Sequence, residues 1–211
     1  MQNAQPEIFN IDKICTQLSE NGCAYIDNFL PDRLLRSLYK EIYALDKDFA
    51  LQAAGIGRGD EHIIRKNIRS DKIHWIEGKT LAQVQLQEKL EEFRFQLNQN
   101  LMLGLFDVES HYAVYRKGDF YKRHVDSFKG QKNRIVSMVI YLNKNWKKQD
   151  GGLLNLYKDE SSKTPFESIV PSWGNMVVFL SEQIPHEVIA THRTRYSIAT
   201  WFRCNNTNPL I

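Results

Sequence analysis

The chain has 211 residues, and 28 Lys and Arg against 25 Asp and Glu leave it at +3, with 42% hydrophobic and 11% aromatic side chains. A chain this long buries a full core without a disulfide or metal staple, and 11 Gly with 6 Pro exclude collagen-like and low-complexity classes. No apolar run approaches the ~20 residues of a membrane-spanning helix, and MQNAQPEIFN lacks the basic start and apolar stretch of a secretory signal. Cys15, Cys23 and Cys204 have no CxxC spacing and read as free thiols of a reducing compartment, the cytoplasm. Lys and Arg are dispersed, with short groups only at 129–134 and 144–148, which argues against a nucleic-acid partner.

The front half reads as helical. Ile11, Ile14, Cys15 and Leu18 follow helical spacing, and Asn21-Gly22 supplies a stop. After a strand at Ala24 to Ile26, Pro31 suits a first helical turn, and Leu34, Leu35, Leu38, Ile42 and Leu45 continue the pattern. A third helix carries Leu86, Leu90, Phe93, Leu97 and Leu101 and stops near Gly104. Between the second and third helices, LQAAGIGRGDEH holds alternating glycines without the strand before and helix after that a phosphate loop needs, so 51–60 reads as a mobile lid or surface loop.

From Phe106 onward short apolar segments alternate with turn residues: Tyr112 to Tyr115, Ile135 to Leu142, Leu153 to Tyr157, Phe166 to Val170, Asn175 to Leu180, Glu187 to Ala190 and Tyr196 to Phe202. Such spacing predicts a β-sandwich or barrel. In a strand, His124 and Asp126 of KRHVDSF would point to one side. That pair alone is weak evidence, since a surface or capping arrangement gives the same triplet. His186, at the start of a later strand, can be returned beside them by a jelly-roll, and two His with one carboxylate leave open positions on iron(II). Arg195 alternates with Ser197 and Ala199 and therefore faces inward. An inward guanidinium needs a partner, either a bound carboxylate or a buried Asp or Glu of the chain itself.

Taken in order, IRSDKIHWIEGK (68–79), YKRHVDSF (121–128), VIYLNKNW (139–146), GGLLNLY (151–157), PHEV (185–188) and TRYSIATWF (194–202) resemble the motifs of the iron(II)- and 2-oxoglutarate-dependent dioxygenases of the prolyl 4-hydroxylase family. The likeness is to the hypoxia-sensing prolyl hydroxylases and their bacterial relatives. It implies an α+β, mainly β fold, a double-stranded β-helix (jelly-roll) core with supporting N-terminal helices. A single domain over 1–211 is expected, with helical support and lid at 1–104, the jelly-roll at 105–203 and a tail at 204–211. By motif position the resemblance makes His124, Asp126 and His186 the iron ligands, Arg195 and Tyr141 the anchors of the distal 2-oxoglutarate carboxylate, and Tyr115 a lining residue of the cofactor site. Trp75, Arg134 and Trp201 fall at the substrate entrance, with Asp71 expected to pair with Arg134. Simple packing or a surface salt bridge is the competing reading for these peripheral residues. The segment between Tyr115 and His124 is one residue shorter than in the animal enzymes, and Ala199 stands where those often carry Thr.

The implied reaction consumes O2 and 2-oxoglutarate, releases succinate and carbon dioxide, and hydroxylates a substrate, with ascorbate as a reductant. The ligand carboxylate Asp126 favours hydroxylation over halogenation. A prolyl residue in a protein is the expected target, and the bacterial relatives suggest elongation factor Tu or a ribosomal protein. The alternatives are a hydroxylase of a free amino acid or other small molecule, a nucleic-acid demethylase, and a non-catalytic jelly-roll that binds a metal or protein.

Overall fold

The computed structural model describes residues 10–55, 65–127 and 133–204. Helices α1 (Ile11–Asn21), α2 (Asp32–Lys47) and α3 (Leu81–Leu101) lie where the periodicity places them. The side chain of Asn10 caps α1 by accepting from Lys13 N, and Gly22 ends the helix in the left-handed region at φ 71°. Thr80 caps α3 in the same way through Gln83 N. That helix ends at Met102, at φ 50°, two residues before the expected glycine stop.

The described residues hold eleven strands, in chain order β1 (Cys23–Ile26), β2 (Gln52–Ala53), β3 (Lys72–Trp75), β4 (Leu105–Tyr115), β5 (Tyr121–His124), β6 (Arg134–Tyr141), β7 (Leu154–Leu156), β8 (Glu167–Ile169), β9 (Met176–Leu180), β10 (His186–Val188) and β11 (Arg195–Cys204). They form a seven-stranded sheet, β1-β9-β6-β11-β4-β3-β2, and a four-stranded sheet, β5-β10-β7-β8, with antiparallel pairing throughout. This is the jelly-roll architecture expected. The first half of the chain also contributes β1, β2 and β3 to the larger sheet. Gln52 and Ala53, inside the segment read as a lid, pair with Ile73 and Lys72, while 56–60 of that segment and 205–211 of the tail lie outside the described residues.

Strand alternation divides the larger sheet between two cores. Tyr112, Val114, Val136, Met138, Ile140, Met176, Val178, Ile198 and Phe202 pack in one cluster with the helix residues Leu18, Leu38, Ile42, Leu86, Leu90 and Phe93. Ala113, Tyr115, Tyr141, Val177 and Phe179 face the other way and meet Leu154, Leu156, Ile169 and Val188 of the smaller sheet. Burial of the helical faces thus fixes the larger sheet from behind, which leaves its inner face to carry the polar side chains His111, Ser137, Arg195 and Ser197, all buried. Among the described residues no helix is long and apolar enough to cross a membrane, and Cys15, Cys23 and Cys204 form no disulfide.

Candidate active site

His124, Asp126 and His186 come together between the sheets, with one ligand atom of each within 4.8 Å of the others. His124 ends β5 and His186 begins β10, and the two are paired in register. Asp126 is not on the strand with His124, contrary to the expectation. It lies in the bend just beyond, where its N–H donates to the Ser181 carbonyl at 3.1 Å. The three side chains converge because of that bend, not because of a two-residue alternation.

The triad is arranged to offer its donors to a cation. His124 Nδ1 lies 2.8 Å from the Lys122 carbonyl and His186 Nδ1 lies 3.0 Å from the Ile184 carbonyl, so each ring carries its proton on Nδ1 and turns a bare Nε2 inward. These Nε2 atoms stand 3.5 and 3.6 Å from the two Asp126 oxygens. Ser137 Oγ donates to Asp126 Oδ2 at 2.6 Å and shares a second hydrogen bond with Ser181 Oγ at 2.9 Å. Burial pushes the Asp126 carboxyl up, and the charge that His186 and His124 carry when protonated, with that of Arg134, outweighs this and sets it well below the usual carboxylate range. Burial, reinforced by His124, pulls His186 down to about 4. A carboxylate and two imidazoles on one side are a donor set that suits iron(II) and keeps positions open.

The triad shares a small cavity of about 50 Å3 with Tyr115, Arg195, Ser197, Ala199 and Trp201. Arg195 is 1% exposed. Its Nε donates to the Gly152 carbonyl at 2.9 Å and its Nη1 to Ser197 Oγ at 3.0 Å, both neutral acceptors. Among the described residues no carboxylate meets it, so the internal ion pair that sequence left open is not present. Gly152 makes the approach possible: it sits at φ 63°, and a Cβ there would stand 3.0 Å from Arg195 Cδ. Arg195 lies 5.0 and 5.2 Å from the ring centres of Tyr115 and Tyr141. The Tyr141 hydroxyl is buried and lacks a hydrogen-bond partner. Burial raises its pKa, while nearby Arg195 works the other way. A buried cation with unused donors beside an orphaned hydroxyl fits a small dianionic ligand that reaches toward the metal.

The residues expected at the entrance are placed less uniformly. Trp75 is 43% exposed and meets the edge of His111 at 5.3 Å. Trp201 lines the cavity, its Nε1 buried without a partner, and the Arg134 guanidinium lies 3.6 Å over its ring. The expected Asp71–Arg134 pair is absent. Arg134 Nε and Nη2 both donate to Glu109 Oε1, at 2.9 and 2.7 Å, because the register of β4, β11 and β6 puts Asp107, Glu109, Arg203 and Arg134 on one ladder. Asp71 instead receives Arg69 through two bonds of 2.7 and 2.9 Å. Sequence reading missed Arg69, His111 and Tyr121, all of which line the cavity.

A jelly-roll that presents two His and one carboxylate beside a buried, unpaired Arg belongs to the class of metal-dependent oxygenases that use a dicarboxylate co-substrate. The family model of the 2OG-Fe(II) oxygenase superfamily matches residues 110–203. A prolyl-4-hydroxylase from Pseudomonas putida superposes with a TM-score of 0.83 at 35% identity, over 93% of this chain and 100% of that one. A prolyl hydroxylase from Trichoplax adhaerens, solved with a hypoxia inducible factor oxygen degradation domain peptide, gives a TM-score of 0.81 at 27% identity, over 92% and 88% of the two chains. Human Egl nine homolog 1 is 29% identical over 202 residues, which span 91% of this chain and 46% of that protein. The chain thus covers about half the length of that curated relative. It belongs to the 2OG-Fe(II) oxygenase superfamily.

Proposed function

We propose that the chain is an iron(II)- and 2-oxoglutarate-dependent dioxygenase that hydroxylates a prolyl residue in a protein. The observation that carries this reading is Arg195, buried without a carboxylate and facing the same cavity as the His124–Asp126–His186 cluster. In this reading the three ligands hold iron, Arg195 and Tyr141 take the far carboxylate of 2-oxoglutarate, and Tyr115 lines the cofactor's side of the cavity. When bound, iron with 2-oxoglutarate supplies the oxidising chemistry, in which O2 is divided between succinate and the substrate hydroxyl and carbon dioxide leaves. The chain's own part is orientation and dryness. The inner faces of β4, β6 and β11 set their polar groups among apolar Ala113 and Val139, and Leu154 of β7 lines the same cavity.

The prolyl assignment is supported by 35% identity to the Pseudomonas putida prolyl-4-hydroxylase along its whole chain. Trp75, Arg134 and Trp201 would form the entrance for the peptide. A protein of the translation machinery, elongation factor Tu or a ribosomal protein, is the candidate target that the family resemblance suggests. Mass spectrometry of the host proteome with and without the gene tests this, since the target proline should lose one oxygen atom when the gene is deleted. If the purified enzyme hydroxylates free amino acids better than any prolyl peptide, the protein-substrate reading fails and the small-molecule reading replaces it.

A further inference from the structure

Tyr121 lies flat on a metal-ligand imidazole. Its ring centre is 3.6 Å from that of His124, and the planes are inclined by only 16°. The Arg69 guanidinium carbon lies 4.6 Å from the centre of the same phenol ring. One face is already covered by the imidazole, so the cation takes the opposite face. Arg69 is itself held from behind by both oxygens of Asp71, whose side chain is fully buried. The backbone ties the same parts together. Arg69 and Tyr121 form an antiparallel bridge, Ser70 N donates to the Phe120 carbonyl at 3.1 Å, and Lys122 N donates to the Ile68 carbonyl at 2.9 Å.

We propose that Asp71, Arg69 and Tyr121 form a stacked brace that raises the metal affinity of the site by holding the His124 ring in its ligating orientation. This rests on the reading of the triad as the iron site, and it makes Arg69 and Tyr121 positioning residues. The hydrogen bond from Nδ1 to Lys122 O directs one ring atom, but rotation about the terminal sp3–sp2 torsion of His is soft, and the ring plane can still swing about that bond. A phenol stacked on one face removes this freedom before the metal arrives, so less ordering remains to oppose binding. Arg69 adds cation–π attraction on the far side of the phenol, strengthened by burial. Asp71 cancels the guanidinium charge, which would otherwise repel a divalent cation.

Mn(II) binding to the purified full chain, measured by calorimetry without substrate, tests the brace with variants that leave net charge unchanged. Tyr121→Phe keeps the stacked ring and should bind Mn(II) within about twofold of wild type. Tyr121→Leu removes the stack and should weaken binding about tenfold or more, the scale of a lost outer contact to a metal ligand. The neutral double variant Arg69→Met/Asp71→Asn should weaken it severalfold, and combining it with Tyr121→Leu should add nothing, because Arg69 acts through the phenol. If only substrate turnover falls while Mn(II) affinity of the Tyr121→Leu and Arg69→Met/Asp71→Asn proteins stays at the wild-type value, these residues merely line the cavity and the brace is wrong. Failure of the wild-type chain to bind Mn(II) would instead remove the metal-site reading itself.

Discussion

Replacing Arg195 with Met removes a guanidinium that is 1% exposed and whose two hydrogen bonds end on neutral oxygens. Losing those bonds costs about 1 kcal/mol each. Replacing a buried ion pair by apolar side chains of similar volume returns about 1–4 kcal/mol, and the same scale is taken for this lone buried guanidinium. The ligand-free variant should therefore lie between about 1 kcal/mol less and ~2 kcal/mol more stable than wild type, at about 2–4 °C in melting temperature for each kcal/mol in a domain of this size. Binding of 2-oxoglutarate should move the other way. A charge-assisted contact of roughly 1.5–3 kcal/mol is lost, which corresponds to about ten- to a hundredfold in Kd. Melting curves recorded with Mn(II) across a range of 2-oxoglutarate concentrations read both effects together, with the variant's rise beginning at about ten- to a hundredfold higher ligand concentration than that of wild type. Arg195→Lys should fall between them, since an ammonium keeps the charge and loses the fork. A variant that melts well below wild type and still binds 2-oxoglutarate normally would show that Arg195 serves the fold and not the ligand.

His124→Ala, Asp126→Ala and His186→Ala should each abolish metal binding and turnover, and near-normal activity in any one would remove that residue from the ligand set. Ser137→Ala deletes the 2.6 Å hydrogen bond to Asp126 and should weaken metal binding about 10–100-fold, as read by the same calorimetry. Trp75→Ala should lose hydroxylation of a prolyl peptide while 2-oxoglutarate is still consumed without substrate, and equal loss of both activities would place Trp75 outside the entrance. His111 is held down to about 3 by burial and by Arg69, so it is neutral in the folded chain and takes up a proton on unfolding below its ordinary pKa of about 6.5. Its contribution is thus fully present above about pH 6.5 and lost as the pH falls toward 3. By pH 4.5 this amounts to roughly 2–3 kcal/mol, and urea midpoints of wild type and His111→Met at pH 7 and 4.5 should show the variant losing less.

What the sequence made legible follows from how far each signal extends along the chain. The helices α1, α2 and α3 declare themselves through repeated apolar spacing over 11, 16 and 21 residues, and β6, β9 and β11 through alternation against the helical layer. Strands β2, β3 and β5 read QA, KIHW and YKRH and carry no apolar run, whereas the equally short β7 and β10 lie in the apolar segments LLNLY and EVIA. The strand read only from Tyr112 begins seven residues earlier at Leu105, because Asp107 and Glu109 interrupt its apolar pattern. Those acids are tolerated there because Arg203 and Arg134 meet them across the sheet. His111 and Ser137 were within reach of the same reasoning that placed Arg195, since they alternate with Ala113 and Tyr115 and with Val139 and Tyr141 on the inner face.

The mistaken partner of Arg134 has a different origin. Motif position transfers the identity of a side chain and not its partner. A salt bridge is decided by register between strands far apart in sequence, and one acid at the right rung redirects it. Glu109 takes both Arg134 and Arg203 through its two oxygens, and Asp71 is left to the residue two positions before it, Arg69. Arg134 then rests on the Trp201 ring, whose indole N–H is buried and unpaired. A buried donor is costly to leave unmet, and the charge ladder that no motif records holds the guanidinium over the ring that carries it.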